Sequence, residues 1–301
     1  MRYQTILRHI EAVSRYGSIR RAAEELALTP SAMNRQIQAF EAELGEKIFE
    51  RLPQGVRLNP AGELLLFSAR RQMAEIERLR SQIADLSGIR RGHVAVACSQ
   101  ALAPYFLPAQ VMEYNASFPQ VTFGIMVRDR GTAEHALSDY STDFALVFGA
   151  ARLPEIQIVL QAEQVLHVVV ARDHPLARYD SVRLRDVLRY PLALPTQAYG
   201  GRQMLEAAMA RSSSPRNVLV ESDSFELLKS IVAQSEAVMV QIPIGTPTDP
   251  GDRIVSRPLD PRDVPHGVLS VLQLRGRALP VAAARFMDQI VRALEARFTV
   301  T

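Results

Sequence analysis

Apolar residues near the start of the chain recur at helical spacing. Leu7, Ile10 and Val13 predict a first helix that ends near Tyr16-Gly17. Ala22, Ala23 and Leu26 give the buried side of a second helix, with Ser18 as its N-cap. Thr29 caps a third, whose first position is Pro30, where a missing N–H costs little. Met33, Ile37, Phe40 and Leu44 follow at i, i+4, i+7 and i+11 as one apolar stripe, and Gly45 ends it. Two strand-like pieces, 48–51 and 56–58, flank a turn with Pro53, Gln54 and Gly55 and predict a small β-wing.

Asn59-Pro60 opens a long helix, although Gly62 weakens its first turn. Its stripe runs through Leu65, Ala69, Met73, Ile76, Leu79, Ile83 and Leu86, with charged residues on the other faces. Such a stripe suits pairing between subunits, or packing on the protein's own body. Few apolar residues flank it, which favours a dimer helix. Gly88 and Arg90-Arg91-Gly92 mark a hinge. Beyond it, strands are expected at 94–98, 121–127, 144–148, 165–171, 192–194, 218–220, 237–242 and 268–274. Helices are expected at 104–114, 132–139, 202–210, 225–234 and 280–298. This alternation predicts mostly parallel sheets with helices on their faces. There is no internal repeat.

The 301 residues exceed what one core usually holds, so two or three folding units are expected. The net charge of +3 is uneven: 15 Lys+Arg against 11 Asp+Glu up to Arg91, then 20 against 21. The basic excess thus lies with the helical module, which fits a phosphate-facing surface or a solvated helical face. Lys47 and Lys229 are the only lysines, and arginine suits bidentate contact with phosphate or guanine. The N-terminus has charges where a signal peptide needs an apolar core. Residues 94–112 are uncharged, but Gln100, Pro104, Pro108 and Gln110 argue against a spanning helix. The expectation is a cytoplasmic protein with no membrane partner.

On the third helix Ser31, Asn34, Arg35 and Gln38 lie at i, i+3, i+4 and i+7, opposite the apolar stripe. Arg35 could read guanine, and Asn34 or Gln38 adenine. Thr29 stands at the start of that helix. Arg20 and Arg21, with Arg51 and Arg57 on the wing, are suited to phosphate. The alternative is that these polar residues only cover an exposed face. With two caps and a tight turn, double-stranded DNA is the favoured partner.

These residues resemble the LysR-type transcriptional regulators. The resemblance is carried by Gly17-Ser18, Ala22-Ala23, Arg35-Gln36-Ile37, Glu43-Leu44-Gly45, Phe49-Glu50-Arg51, Val56-Arg57-Leu58 and Ala61-Gly62. It continues more weakly through Phe118-Pro119, Asp143 and His174-Pro175-Leu176-Ala177. Asn34 stands where the family has serine, Asn59 where it has threonine, and Gln234-Ser235-Glu236-Ala237 where it has a glycine-rich turn. The resemblance implies an α/β protein with an N-terminal all-α winged helix-turn-helix and a two-lobed, periplasmic-binding-protein-like (type 2) effector domain. The expected divisions are 1–58 for DNA binding, 59–91 for the dimerisation helix and hinge, and 92–301 for the effector domain. Its lobes would be 92–165 with 268–301, and 166–267.

The resemblance further implies an effector between the lobes and subunits assembled as dimers of dimers. The matching positions are Ser99, Gln100, Arg128, Arg130, Thr196, Gln197, Ser222 and Ser224. Helix N-termini there favour an anion, so a small carboxylate is expected. Ser and Thr at these points could instead only cap helices. No metal-ligand spacing joins the six histidines, and no P-loop, GxGxxG or GxSxG is present. No cofactor, metal or enzymatic activity is expected. His174, before Pro175, predicts a surface turn. Cys98 lies in an apolar strand and lacks a resolving partner, so a core role is favoured over redox sensing. Two other readings stay open: an architectural DNA-binding protein with an oligomerising domain, and a solute-binding protein without DNA function. The missing signal sequence argues against the second, and the length of the α/β part against the first.

Overall fold

The computed structural model describes residues 2–86, 91–211, 216–247, 249 and 251–300. The chain forms two compact units, Met1–Arg80 and Ser81–Thr301.

In the first unit, α1 (Arg2–Tyr16), α2 (Ile19–Glu25) and α3 (Pro30–Leu44) precede a hairpin of β1 (Phe49–Leu52) and β2 (Gly55–Leu58). The long α4 (Pro60–Leu86) follows. Ile10, Val13, Ala22, Met33, Ile37 and Ile48 form the core. Each large side chain among them contributes roughly 1.5–3 kcal/mol on burial. The caps are as the sequence predicts. The Ser18 hydroxyl accepts from Arg21 N at 3.4 Å and that of Thr29 from Ala32 N at 3.2 Å. Gly45 closes α3 in the left-handed region, with φ 78°.

Three details correct the pattern reading. Leu26 is exposed, because α2 stops at Glu25 and the chain turns through left-handed Ala27; Leu28 packs on the core instead. Leu44 is 45% exposed, and Glu41 is buried one turn earlier. Its carboxylate accepts from Ile48 N at 2.9 Å and Lys47 Nζ at 3.0 Å, tying α3 to the wing. Gly55 belongs to β2 rather than the turn, opposite Leu52. A Cβ on Gly55 would lie 2.3 Å from Gly17 O, and one on Gly62 2.2 Å from Ile48 O. Both glycines are there for close backbone approach.

The stripe of α4 is divided. Leu65, Ala69 and Met73 pack on the first unit's own core, while Leu79 and Ile83 are exposed. The single pairing face predicted over the whole helix is therefore a packing face in its first half. Gly88 and Arg90 of the predicted hinge lie outside the described residues. Arg91 and Gly92 are not hinge residues but the first of β3, paired with Gln120 and Val121.

The second unit contains β3 (Arg91–Cys98), α5 (Phe106–Ser117), β4 (Gln120–Val127), α6 (Arg130–Ser138), β5 (Phe144–Phe148) and β6 (Ile156–Gln164). Then come β7 (His167–Ala171), α7 (Leu184–Val187), β8 (Leu192–Pro195), α8 (Gly200–Met209), β9 (Val218–Ser222) and α9 (Phe225–Val232). It ends with β10 (Met239–Gln241), β11 (Ile254–Pro258), β12 (Gly267–Leu274) and α10 (Val281–Glu295). One sheet has the order β4-β3-β5-β12-β6. In the other half, β10-β7-β11 and the pair β8-β9 are joined by a bridge between Leu192 and Val238.

The sheets are mixed rather than mostly parallel. β3 runs parallel to β4 and β5, but β12 is antiparallel to β5 and β6, and β7 to β10 and β11. The cause is topological: the chain leaves the first sheet after Gln164 and returns at Gly267, and the returning strand inserts head to tail beside β5. The alternation does not predict strands β6 and β11. In β6 the even positions Ile156, Leu160, Ala162 and Gln164 are buried while Gln157 and Glu163 are exposed. The run expected at 165–171 is broken at Val165-Leu166, where the chain crosses between sheets.

Asp143 accepts from Ala95 N at 2.9 Å and pairs with buried Arg277 at 2.8 Å, fastening β3 to the end of β12. His174 is buried rather than in a surface turn, and its Nδ1 accepts from Leu176 N. Ser235 replaces the expected glycine-rich turn by accepting from Ala237 N at 3.2 Å while donating to Ile231 O. Cys98 is fully buried, and burial pushes its thiol up to about 12, away from the reactive thiolate. No helix among the described residues is long and apolar enough to cross a membrane.

Candidate DNA interface and effector cavity

The tight turn between α2 and α3 sets the start of both helices beside the wing. Ser31, Asn34, Arg20 and Arg51 line one concave surface, closed below by Ile19 and Val56. Four residues far apart in the chain thus face a common space. Arg35 and Gln38 continue the same exposed side of α3, with Met33 and Ile37 buried behind them. Among the described residues no ion pair engages Arg21, Arg35 or Arg51. Arg20 pairs with Glu24 at 3.2 Å, and Arg57 with Glu50 across the hairpin. Both pairs are exposed, and such pairs contribute at most about 1 kcal/mol, so exchange for phosphate is inexpensive. The Thr29 hydroxyl is occupied as a cap and lies 3.3 Å from that of Ser31.

In the second unit a small cavity of about 30 Å³ lies between the two sheets. Its walls are largely apolar, from Val147, Phe148, Pro195, Phe225, Val240 and Ile242. Two expected effector residues line it, Ser99 and Arg130. Ser99 leads into a short 3-10 turn without capping it, which leaves its hydroxyl available. Arg130 opens α6 and donates to Gly149 O at 2.8 Å. No carboxylate pairs with it among the described residues, so its charge at the wall is uncompensated. Arg202 also reaches the wall, but it is engaged by Glu206, Glu221 and Pro195 O.

The other six expected positions are placed differently. Gln100 does not face the cavity; it spans the cleft. Its Oε1 accepts from Phe225 N at 2.9 Å, and its Nε2 donates to the Tyr199 hydroxyl at 3.0 Å and to Asp223 O. Thr196 and Ser222 line a neighbouring hollow together with Asp129, Glu221 and Asp223. Asp129 and Asp223 bring negative charge to that hollow, while Glu221 is paired with Arg202. Ser222 accepts from Ser224 N, and Ser224 caps α9 through Leu227 N at 3.3 Å. Arg128 is exposed and donates to Val127 O. Gln197 is exposed, its carbonyl accepting from Gln203.

The sequence reading missed Tyr199, Phe148 and Gln241 as wall residues. Gln241 had a signal: it interrupts the apolar run from Ala237 to Ile242. A further contact joins the lobes where Lys229 lies 4.8 Å from the Tyr105 ring centre. Burial lowers the Lys229 ammonium's pKa, opposed by its hydrogen bond to Glu226. Among the described residues no group of three or more His, Cys, Asp or Glu could hold a metal ion.

Comparison with known proteins follows the same division. The family described as "Bacterial regulatory helix-turn-helix protein, lysR family" matches residues 5–63, and "LysR substrate binding domain" matches 87–295. The HTH-type transcriptional activator CmpR of Synechocystis sp. is 25% identical over 221 residues, covering 73% of this chain and 72% of that protein. A full-length, singly substituted OxyR from Pseudomonas aeruginosa has a similar fold, with a TM-score of 0.69 at 20% identity. That match covers 97% of this chain and 94% of that one. Full-length CbnR complexed with its target DNA gives 0.67 at 20% identity, over 97% and 99% of the two chains. With both of its parts matched, one a helix-turn-helix and the other an α/β effector-binding domain, the chain belongs to the LysR family of transcriptional regulators.

Proposed function

We propose that α3 reads an operator in the major groove through Ser31, Asn34, Arg35 and Gln38. Arg20, Arg21, Arg51 and Arg57 would hold the phosphates on either side, with Thr29 fixing the start of the helix. The observation that carries this reading is the concave surface shared by Arg20, Ser31, Asn34 and Arg51. It gives the recognition helix and the wing one common target. Residues 1–58 form the DNA module, 59–91 the pairing helix and its connection, and 92–301 the effector domain with lobes 92–165 plus 268–301, and 166–267. The exposed Leu79 and Ile83 support pairing through the second half of α4. Two modules on paired helices would meet successive grooves of a roughly palindromic site, and dimers would associate into tetramers. The protein acts in the cytoplasm as a binding protein rather than an enzyme.

The effector is a small carboxylate held by Ser99 and the uncompensated Arg130 in the cavity between the lobes. It shifts the balance between lobe arrangements to the extent that it binds them unequally. The CbnR complex supports DNA as the target class, since that relative was crystallised on its own site. Footprinting of the chain's promoter region tests the DNA reading. Arg35→Ala should weaken operator binding about tenfold while random DNA at the same salt is held nearly as before. Equal losses on both would remove base reading by α3.

A further inference from the structure

Three glycines surround one aromatic ring. A Cβ on Gly267 would lie 2.0 Å from Phe148 Cζ, and one on Gly200 would lie 2.7 Å from Phe148 O and 3.2 Å from its Cδ1. A Cβ on Gly201 would lie 4.0 Å from Phe148 Cε1. None of the three has a positive φ, so backbone conformation does not demand glycine there. Gly200 and Gly201 moreover open α8, and glycine weakens a helix. What asks for glycine is room: the Phe148 ring fills a slot that side chains at these positions would close.

The slot crosses the boundary between the lobes. Phe148 ends β5 in the first sheet and is 6% exposed. Gly200 and Gly201 begin α8, which packs on β10 in the other half. Gly267 pairs with Gln164, so the tip of the ring stands where the chain leaves the first sheet and returns to it. Met204 of α8 reaches the same point, its Sδ 2.8 Å from where a Gly267 Cβ would be. A turn of one lobe on the other must twist the chain at these crossings, and a rigid ring is held against them.

We infer that Phe148 is a lock. Seated among Gly200, Gly201 and Gly267, it fixes the angle between the lobes, and the lobes change angle only as the ring leaves the slot. Close-packed interiors shift between discrete arrangements rather than deforming smoothly, and a flat ring in a fitted slot has two: seated and displaced. The regulatory consequence of the lock rests on the reading that lobe arrangement governs DNA binding; the lock itself does not.

Hydrogen exchange of the full chain, read by mass spectrometry on overlapping peptides, tests this. The reporter is the Phe225 N–H at the start of α9, where a helix offers no acceptor of its own. Its acceptor is Gln100 Oε1 of the other lobe, at 2.9 Å, so it is protected only while the lobes stay together. Gly267→Ala drives a methyl into the ring and should speed exchange at Phe225 about tenfold. Phe148→Leu removes the Cε and Cζ atoms, half-empties the slot and should speed it about fivefold. In the double variant the methyl takes the space the ring gave up, and exchange should return to within about twofold of wild type. A ring that only packs would speed exchange around 148, 200–204 and 267 and leave Phe225 unchanged; that result would overturn the lock, as would two effects that simply add. Phe148→Leu introduces no clash, so it decides even if Gly267→Ala does not fold: an unchanged Phe225 in that variant removes the lock. Footprints of the same variants on the promoter fragment separate this inference from the reading beneath it. A changed protected length together with faster exchange supports both. An unchanged footprint with faster exchange keeps the lock and removes lobe arrangement as the control on DNA.

Discussion

The proposed DNA face and the proposed effector cavity are built in opposite ways. The DNA face is an outward surface on one helix, and its residues are set by local rules: a cap, a first-turn proline, a spacing of three and four. The cavity is an inward surface drawn from both lobes, and each of its polar groups takes its meaning from distant partners. Ser31 and Asn34 face solvent because Met33 and Ile37 face the core. Nothing local dictates that Arg130 should lack a carboxylate. A surface that reads a fixed polymer can be written in one segment, whereas a cavity that fits a small molecule must be closed from several directions.

The sharpest way to break the comparison is to damage one unit alone. Gly62→Val would drive a side chain into Ile48 O, 2.2 Å from the position of its Cβ. A loss of about 3 kcal/mol is expected in the first unit, with operator binding abolished. Calorimetric binding of acids to the second unit should persist, and its loss would show that the two sites do not stand apart. The converse stress is acid. Burial and then the charge of Arg257 push the His167 imidazole down to about 4. The unfolded chain takes up that proton near pH 6.5, before the folded one does. Stability of the second unit is thus full above about pH 6.5 and falls as pH drops towards 4, by about 3 kcal/mol. His167→Gln should flatten that part of the pH–stability curve; an unchanged slope would remove His167 as its source.

The smallest test concerns the caps. Thr29→Ala and Ser224→Ala each remove a hydroxyl from a helix N-terminus, and each should cost about 1 kcal/mol in thermal unfolding. Only Thr29→Ala should reach the DNA face. Ser224→Ala should leave the affinity for carboxylates within about twofold, because Ser224 serves α9 rather than the ligand. A tenfold loss there would return Ser224 to the effector site.

The sequence made the first of these regions legible almost completely, since helix periodicity and capping are short-range. Its failures came where the partner was remote. Leu44 fits the stripe, but Glu41 is buried because the backbone of Ile48 and Phe49 needs an acceptor. Gly62 reads as a weak first turn until Ile48 is seen against it. In the second unit most helices were placed, yet β6 and β11 were missed and the sheet direction misjudged. A strand that returns from a distant part of the chain leaves no local mark of its orientation. Of the expected effector positions, Ser99 and Arg130 reach the cavity. Ser222, Ser224 and Gln100 carry hydrogen bonds within the protein, and pattern alone cannot separate a cap from a contact.

Gln100 fastens one lobe to the other, accepting from Phe225 N and donating to Tyr199 and Asp223. A ligand that enters by parting the lobes would have to break those hydrogen bonds first. Uptake should therefore be paced by a gate rather than by collision, with an observed rate that levels off as concentration rises. The delay would separate a passing metabolite from a sustained supply, and tie the transcriptional response to conditions that persist.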